Sequence, residues 1–79
     1  MAYKVMMAVY ASKNRGEIVT KECQQIIDSG KTIIPVNSTT FVDPDPGHKK
    51  YFTIMYQFTH NGKPYGQTRG CAESSDLQL

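Results

Sequence analysis

The fold is decided by Tyr51-Phe52-Thr53-Ile54-Met55-Tyr56-Gln57-Phe58-Thr59, in which apolar and more polar residues alternate. This period of two is typical of a strand with one buried face. Asn61-Gly62 follows, and this dipeptide is favoured in type I′ turns because both central positions need a positive φ. The sequence therefore predicts a β-hairpin whose returning strand covers Lys63–Thr68. Gly66 and Gly70 indicate a bulge or a close backbone approach in that strand.

Three further segments have strand character. Lys4–Tyr10 is apolar on both alternating faces, which predicts a central strand covered on both sides. Thr32–Val36 is rich in β-branched residues, but Pro35 lacks a backbone donor, so we expect an edge strand or a bulge there. The alternation of Leu77 and Leu79 suggests a short closing strand near the end of the chain.

A helix is predicted between Ile18 and Gly30, after a polar loop over Ser12–Gly16. Thr20 can cap its first turn and Glu22 adds a favourable negative charge there. A glycine at the end is a usual helix stop. The helical face consists of Val19, Cys23, Ile26, Ile27 and Gly30. A strand over Ile18–Cys23 is the alternative, and the pattern leaves it open.

Together these segments predict one small α+β domain over residues 1–79, mainly antiparallel sheet with one short helix. Seventy-nine residues lie near the lower limit for a single self-sufficient core. A net charge of +2 is too small to indicate nucleic-acid binding by itself.

The two cysteines, Cys23 and Cys71, are fewer than a secreted domain of this size usually carries. We expect reduced thiols in a cytoplasmic protein, although a Cys23–Cys71 bridge is compatible with the spacing. No apolar run is long enough to span a bilayer. Met1–Lys4 lacks the basic segment and apolar core of a secretory signal.

The loop Asp43-Pro44-Asp45-Pro46-Gly47-His48-Lys49-Lys50 is the strongest local candidate for a site. Each aspartate precedes a proline, which restricts its backbone to extended conformations. The loop could hold a cation weakly or act as a rigid recognition element. It could equally form consecutive turns in which the carboxylates accept nearby backbone N–H groups. Calcium loops need more oxygen ligands than this segment offers.

The sequence contains no constellation that indicates an enzyme. Cys23, Cys71, His48 and His60 are the only soft ligands, and none has the spacing of a zinc site. No cysteine is placed near a histidine in sequence, and no glycine-rich phosphate motif is present. We therefore expect no catalytic residues, no metal and no cofactor.

The hairpin instead suggests a binding surface. Tyr51, Met55 and Tyr65 are predicted on its more polar face, with Lys49, Lys50, Lys63 and Arg69 nearby. Tyrosine, methionine and arginine are enriched at protein interfaces. Aromatic and basic residues can also bind single-stranded nucleic acid, or the aromatics can simply pack inside the fold. The candidate binding residues are Asp43, Asp45, His48, Lys50, Tyr51, Met55, Tyr65 and Arg69.

The order of motifs resembles a known family. The motifs are Tyr10, Val19-Thr20, Gln24 and Gln25, Ile26-Ile27-Asp28-x-Gly30, Val36-Asn37 and Phe41-x-Asp43-Pro44-x-Pro46-Gly47-x-x-Lys50-x-Phe52-x-Ile54-x-Tyr56. They are similar to the C-terminal domain of unknown function of DnaJ-like subfamily C member eleven proteins and to related small stand-alone microbial proteins. The resemblance covers about Tyr3–Thr59. Glu17 to Thr20, Val42 and the C-terminal third depart from the pattern.

The resemblance implies an accessory or interaction domain. No J-domain is present, so neither chaperone stimulation nor mitochondrial membrane association carries over to this chain. The sequence thus predicts a non-enzymatic protein-interaction or oligomerisation module, a homo-oligomer or the binder of a protein partner. The alternative is a small domain that binds a ligand or single-stranded nucleic acid through the hairpin.

Overall fold

The computed structural model describes residues 3–79, so Met1 and Ala2 of the N-terminal segment considered above lie outside the described part. The protein is a small α+β domain, as predicted. Its elements in chain order are β1 (Tyr3–Ala11), β2 (Gly16–Ile18), α1 (Thr20–Asp28), β3 (Ile33–Val36), β4 (Tyr51–His60), β5 (Lys63–Ala72) and β6 (Ser75–Gln78). A four-stranded antiparallel sheet has the order β2-β1-β4-β5, and β3 pairs with β6 in a separate ribbon.

The hairpin β4–β5 confirms the central prediction. Asn61 and Gly62 both have positive φ, 52° and 76°, as a type I′ turn requires. The returning strand is longer than predicted and runs to Ala72 without a bulge. Gly70 shows the expected close approach, because a Cβ there would lie 3.0 Å from the carbonyl oxygen of Phe52.

Strand β1 contains a bulge that the sequence did not show. Val5 lies opposite Tyr56 and Met7 lies opposite Met55, so Met6 is an extra residue in β1. The extra residue reverses the alternation of side chains along the strand. Tyr3 and Val5 therefore share the inner face with Ala8 and Tyr10, whereas strict alternation had separated them. The prediction that β1 is covered on both sides is wrong, because Met6 and Met7 are about half exposed.

The helix lies along the free edge of β1. Thr20 does not cap it: Val19 is the N-cap residue, and no side-chain cap bond is formed. The Thr20 Oγ1 instead accepts a bond from the backbone N–H of Ala8 at 3.0 Å. One turn later, the Gln24 side chain accepts the N–H of Val5 at 2.7 Å and donates to the carbonyl of Tyr3 at 3.2 Å. Two helix side chains thus continue the hydrogen-bonding ladder where the short strand β2 ends.

The helix is confirmed from Thr20 onward, and the alternative of a strand over Ile18–Cys23 is wrong, because only Ile18, the last residue of β2, lies in a strand. The predicted polar loop is shorter by one residue, because Gly16 already belongs to β2. Gly16 lies opposite Ala11, whose Cβ would be 2.6 Å from any Cβ at position 16. Only glycine fits this pair without a shift of the backbone.

The core lies between the inner face of the sheet, the helix and the ribbon β3–β6. Phe41 closes one end of it, with its ring 5.5 Å from that of Phe52 and 5.4 Å from that of Tyr10. The buried apolar residues are Val5, Ala8, Tyr10, Val19, Cys23, Ile34, Val36, Phe41, Phe52, Ile54, Tyr56 and Leu77. The opposite face of the sheet carries no helix or ribbon among the described elements. Within residues 3–79 no helix has the length and apolar character needed to cross a membrane.

Candidate interaction surface

The uncovered side of the four-stranded sheet is the main candidate surface, and we call it the outer face. Strand register places on it Ile18, Val9, Met7, Ala11, Tyr51, Thr53, Met55, Thr68, Gly70 and Ala72, with Lys4, Gln57 and Gly66 at one end. Met7 and Met55 are directly opposite each other and are each 47% exposed. Ile18 and Tyr51 are more exposed still. Among these positions only Lys4 is charged.

This composition is unusual for a solvated face. Antiparallel sheets with one wet side generally alternate apolar residues inside with polar residues outside. The outer face instead combines two methionines, an isoleucine and a tyrosine with small residues on β5. Depletion of charge with enrichment of methionine and tyrosine is the composition of interface cores.

A hollow of about 440 Å³ lies on this side, between β1, β4 and β5. Met6 and Met55 form one wall, and Gly66 and Thr68 lie on β5. The hollow exists because the bulge turns Met6 towards this side and because Gly66 has no side chain. Methionine side chains are flexible and polarisable, so this region can adapt to the shape of a partner.

The loop over residues 43–50, which we call the Asp-Pro loop, is held by hydrogen bonds and ion pairs within the chain. Lys50 is only 3% exposed, and its ammonium lies 2.9 Å from Asp43 Oδ1 and 3.8 Å from Glu73 Oε2. It also donates to the carbonyl of Asp45 at 3.2 Å. The hydrogen bond from Lys50 lowers the pKa of Asp43, and the same bond raises the pKa of Lys50. We call this group, together with Tyr10 and Ser38, the lysine corner.

Other bonds hold the lysine corner to the core. Glu73 Oε1 accepts the backbone N–H of Lys50 at 2.9 Å, and the Lys50 carbonyl accepts the N–H of Glu73 at 2.9 Å. The Tyr10 hydroxyl lies 3.1 Å from Ser38 Oγ and 3.4 Å from Glu73 Oε2. Sequence reasoning missed Glu73, because the residue lies 23 positions beyond Lys50 and only the fold brings the two together.

Asp45 has a separate role in the same loop. Its Oδ2 accepts a bond from Ser12 Oγ at 2.8 Å, which is the first cause of its lowered pKa. Its Oδ1 lies 3.1 Å from His48 Nδ1. Its backbone N–H is bonded to Asp43 Oδ1 at 3.0 Å. The two carboxylates are therefore bonded within the chain, and no group of three potential metal ligands occurs among the described residues.

The residues singled out from the sequence do not form one surface. Asp43, Asp45, His48 and Lys50 belong to the Asp-Pro loop, and Tyr51 and Met55 lie on the outer face. Tyr65 pairs with Phe58 and Arg69 pairs with Ile54, which places both on the inner side of the hairpin. The expectation that Tyr51, Met55 and Tyr65 share a face is therefore wrong. It failed because the register of β5 against β4 decides which residues point the same way.

The inner side of the hairpin forms a small polar cluster beside the core. Arg69 Nε donates to the Tyr56 hydroxyl at 3.0 Å, and that hydroxyl donates to Gln67 Oε1 at 3.1 Å. The rings of Phe58 and Tyr65 stack with centroids 5.7 Å apart. These contacts satisfy the hydroxyl of Tyr56, whose ring is buried, and fix the side chains of β5.

A second, smaller hollow of about 190 Å³ is lined by Ser12, Lys13, His48, Lys49 and Tyr51. The Lys49 ammonium lies 5.6 Å from the centre of the Tyr51 ring, within the range of a cation–π contact. Here the outer face meets basic side chains. Cys23 and Cys71 are free thiols, and burial raises the pKa of Cys23 to about 12, so it is a poor nucleophile.

Comparisons with family models, with curated proteins and with solved structures find no match to this chain.

Proposed function

We propose that this protein is a non-enzymatic interaction module, whose outer face binds a protein surface, either another protein or a second copy of the chain. The observation that carries the proposal is the absence of charge from the centre of the outer face, where Met7, Met55 and Tyr51 are exposed. Burying those side chains removes apolar surface from water at about 25 cal/mol per Å². The resemblance to an accessory domain of DnaJ-like proteins points in the same direction.

The size of the outer face is sufficient for such contact. Strands β1, β4 and β5, of nine or ten residues each, and the three residues of β2 lie about 4.8 Å apart and together cover roughly 450 Å² in projection. A contact using all of this surface would bury about 1,000 Å² over both partners, near the lower limit for a specific interface. We therefore expect a reversible complex rather than a permanent one.

The proposal is tested by placing a charge at the centre of the outer face. We expect Met55→Lys to abolish binding, because a buried unpaired ammonium is costly in an apolar contact. Gln25→Lys adds the same charge on the exposed side of the helix and is the matched control. Light scattering after size exclusion measures self-association, and quantitative pull-down measures partner binding.

Two results would overturn the proposal. One is a wild-type chain that is a clean monomer and recovers no protein above background. The other is a Met55→Lys variant that equals Gln25→Lys both in self-association and in the recovery of protein partners. Circular dichroism of each variant shows whether the fold is retained.

A second candidate function is binding of an anionic ligand or single-stranded nucleic acid at the second, smaller hollow described above. It is supported by Lys13, His48 and Lys49 around the exposed ring of Tyr51. An aromatic ring beside cations can stack a base and hold a phosphate. Fluorescence anisotropy with short RNA and DNA at low salt, on wild type and Tyr51→Ala, tests this. A flat titration for the wild type rejects it.

A further inference from the structure

The two long edges of the four-stranded sheet are treated differently. The free part of β1 is covered by the Thr20 and Gln24 side chains, which bond its backbone groups directly. On the other side, β5 pairs with β4 and with nothing else between Pro64 and Gly70 among the described residues. Unpaired strand edges attract other strands, so proteins usually block them. The fold blocks one edge and leaves the other open.

The backbone groups that β5 presents can be identified from the hairpin. His60 and Lys63 close the two-residue turn as a hydrogen-bonded pair, and bonded and non-bonded pairs alternate from there. The N–H and C=O groups of Gly66, Thr68 and Gly70 therefore point away from β4. Pro64 occupies the same kind of position, so its missing N–H costs the β4–β5 ladder nothing. We call this row of groups the β5 edge.

The side chains along the β5 edge also favour pairing. Prolines, inward-pointing charges and bulges are the usual protection, and this edge has Pro64 at its start and Arg69 on its inner side but no bulge. Gly66 has negative φ, and nothing lies within 4 Å of where its Cβ would be. Neither backbone conformation nor packing within the chain requires glycine there. A glycine in a strand commonly marks a place where another backbone approaches.

We infer that the β5 edge pairs antiparallel with the β5 edge of a second copy of this chain. The two sheets then form one continuous sheet of eight strands around a twofold axis at Gln67. In this register Gly66 faces Thr68 of the second copy, and about six hydrogen bonds form between the chains. This inference rests on the proposed interaction role but uses a different surface. The outer faces of the two copies remain exposed and form one continuous surface.

Charge and shape select a second copy as the occupant. Lys63 and Arg69 are the only charged residues of β5. The twofold register places Arg69 of each copy opposite Tyr65 of the other copy. A guanidinium against a tyrosine ring is a favourable pair. The two Arg69 side chains remain about 13 Å apart along the strands, beyond a Debye length at physiological salt. The residues that face each other on the outer side are glycine, threonine and proline, so none obstructs the approach.

The test is Thr68→Pro, which removes an outward N–H without removing a β4–β5 bond. Thr68→Val is the matched control, because it keeps the N–H. Gly66→Pro is a second edge-blocking variant: it removes another outward N–H without adding a charge to the outer face, and the structure has open space for its side chain. Sedimentation equilibrium from micromolar to millimolar concentration measures the dimer. We expect wild type and Thr68→Val to dimerise, and the two blocked variants to remain monomeric with unchanged circular dichroism.

Hydrogen exchange at high and low concentration gives an independent readout. In the dimer the amides of Gly66, Thr68 and Gly70 should be protected at least tenfold more at high concentration, whereas Lys4, at the end of the outer face, should not change. A monomeric wild type, or dimerisation of Thr68→Pro equal to that of Thr68→Val, would overturn the inference. Association lost in Met55→Lys but kept in both blocked variants would also overturn it, while supporting the outer face as the binding surface. Association that is lost in the two blocked variants but kept in Met55→Lys supports pairing through the β5 edge.

Discussion

The ammonium of Lys50 lies 2.9 Å from the carboxylate of Asp43 and is almost completely buried. The pair links the Asp-Pro loop to the start of β4, and Glu73 adds a bond from the turn after β5. A cation in this position cannot recruit water in place of a lost partner. The lysine corner therefore serves stability, which is why it is a poor candidate for ligand binding.

The first prediction concerns removal of that cation. Lys50→Met keeps most of the length of the side chain but leaves Asp43 and Glu73 without their cation, so we expect a clear loss of stability. Lys49→Met, at the exposed neighbouring position, should change the free energy of unfolding by no more than about 0.5 kcal/mol. Urea denaturation measures both. Equal midpoints for the two variants would contradict a structural role for Lys50.

The second prediction concerns pH. The pKa of Asp43 is lowered by its bond from Lys50 and that of Asp45 by its bond from Ser12, both from 3.8. Their contribution is fully present above 3.8 and is lost as the pH falls through the lower folded values. The pKa of Lys50 is raised from 10.5, so its contribution is present below 10.5 and is lost as the pH rises through the folded value.

Stability should thus be level around neutral pH and fall on both sides. Urea midpoints measured from neutral pH to about pH 2 should decline less steeply in Asp43→Asn than in wild type. Asp28→Asn removes a carboxylate at the exposed end of the helix and serves as the control. Identical acid slopes for wild type and Asp43→Asn would show that Asp43 is not linked to folding.

The third prediction concerns the contact between α1 and β1. Thr20→Val replaces the hydroxyl by a methyl group and leaves the N–H of Ala8 without its acceptor. Ala8 is fully buried, so we expect a loss of about 1–3 kcal/mol in the free energy of unfolding. Thr20→Ser keeps the hydroxyl and should lose less. If serine and valine were equally destabilising, the missing methyl or the packing, and not the hydrogen bond, would explain the result.

The fourth prediction concerns the thiols. Cys23 is fully buried and burial raises its pKa to about 12, whereas Cys71 is partly exposed, with its pKa also raised by burial. Iodoacetamide should therefore modify Cys71 first, and Cys23 only when urea unfolds the chain. Mass spectrometry of peptides measures each rate. Equal rates in the native protein would contradict the burial of Cys23.

The sequence predicts the hairpin well because its information is local. Alternation over Tyr51–Thr59 and the Asn61-Gly62 turn depend on neighbouring residues, and both are confirmed. The helix and the fold class follow from similar local patterns. The face assignments in β1 and β5 could not be obtained this way, because a bulge and a strand register depend on the partner strand.

The candidate site shows the same division. The turn chemistry of the Asp-Pro loop is readable from its prolines, and the structure places its carboxylates in intrachain bonds. The partners Ser12 and Glu73 are distant in sequence and gave no signal. The outer face cannot be identified from the sequence, because the bulge at Met6 determines which residues of β1 point inward and which point outward.

The bulge at Met6 also determines which backbone amides of β1 point towards α1. In a regular strand the amides of Val5 and Ala8 would point to opposite sides, since they are three residues apart. The extra residue turns both towards α1, where Gln24 and Thr20 accept them. Their exchange with solvent deuterium therefore requires the helix to leave the sheet. Hydrogen exchange at these two amides would therefore measure the undocking of α1 separately from the opening of the β1–β4 ladder.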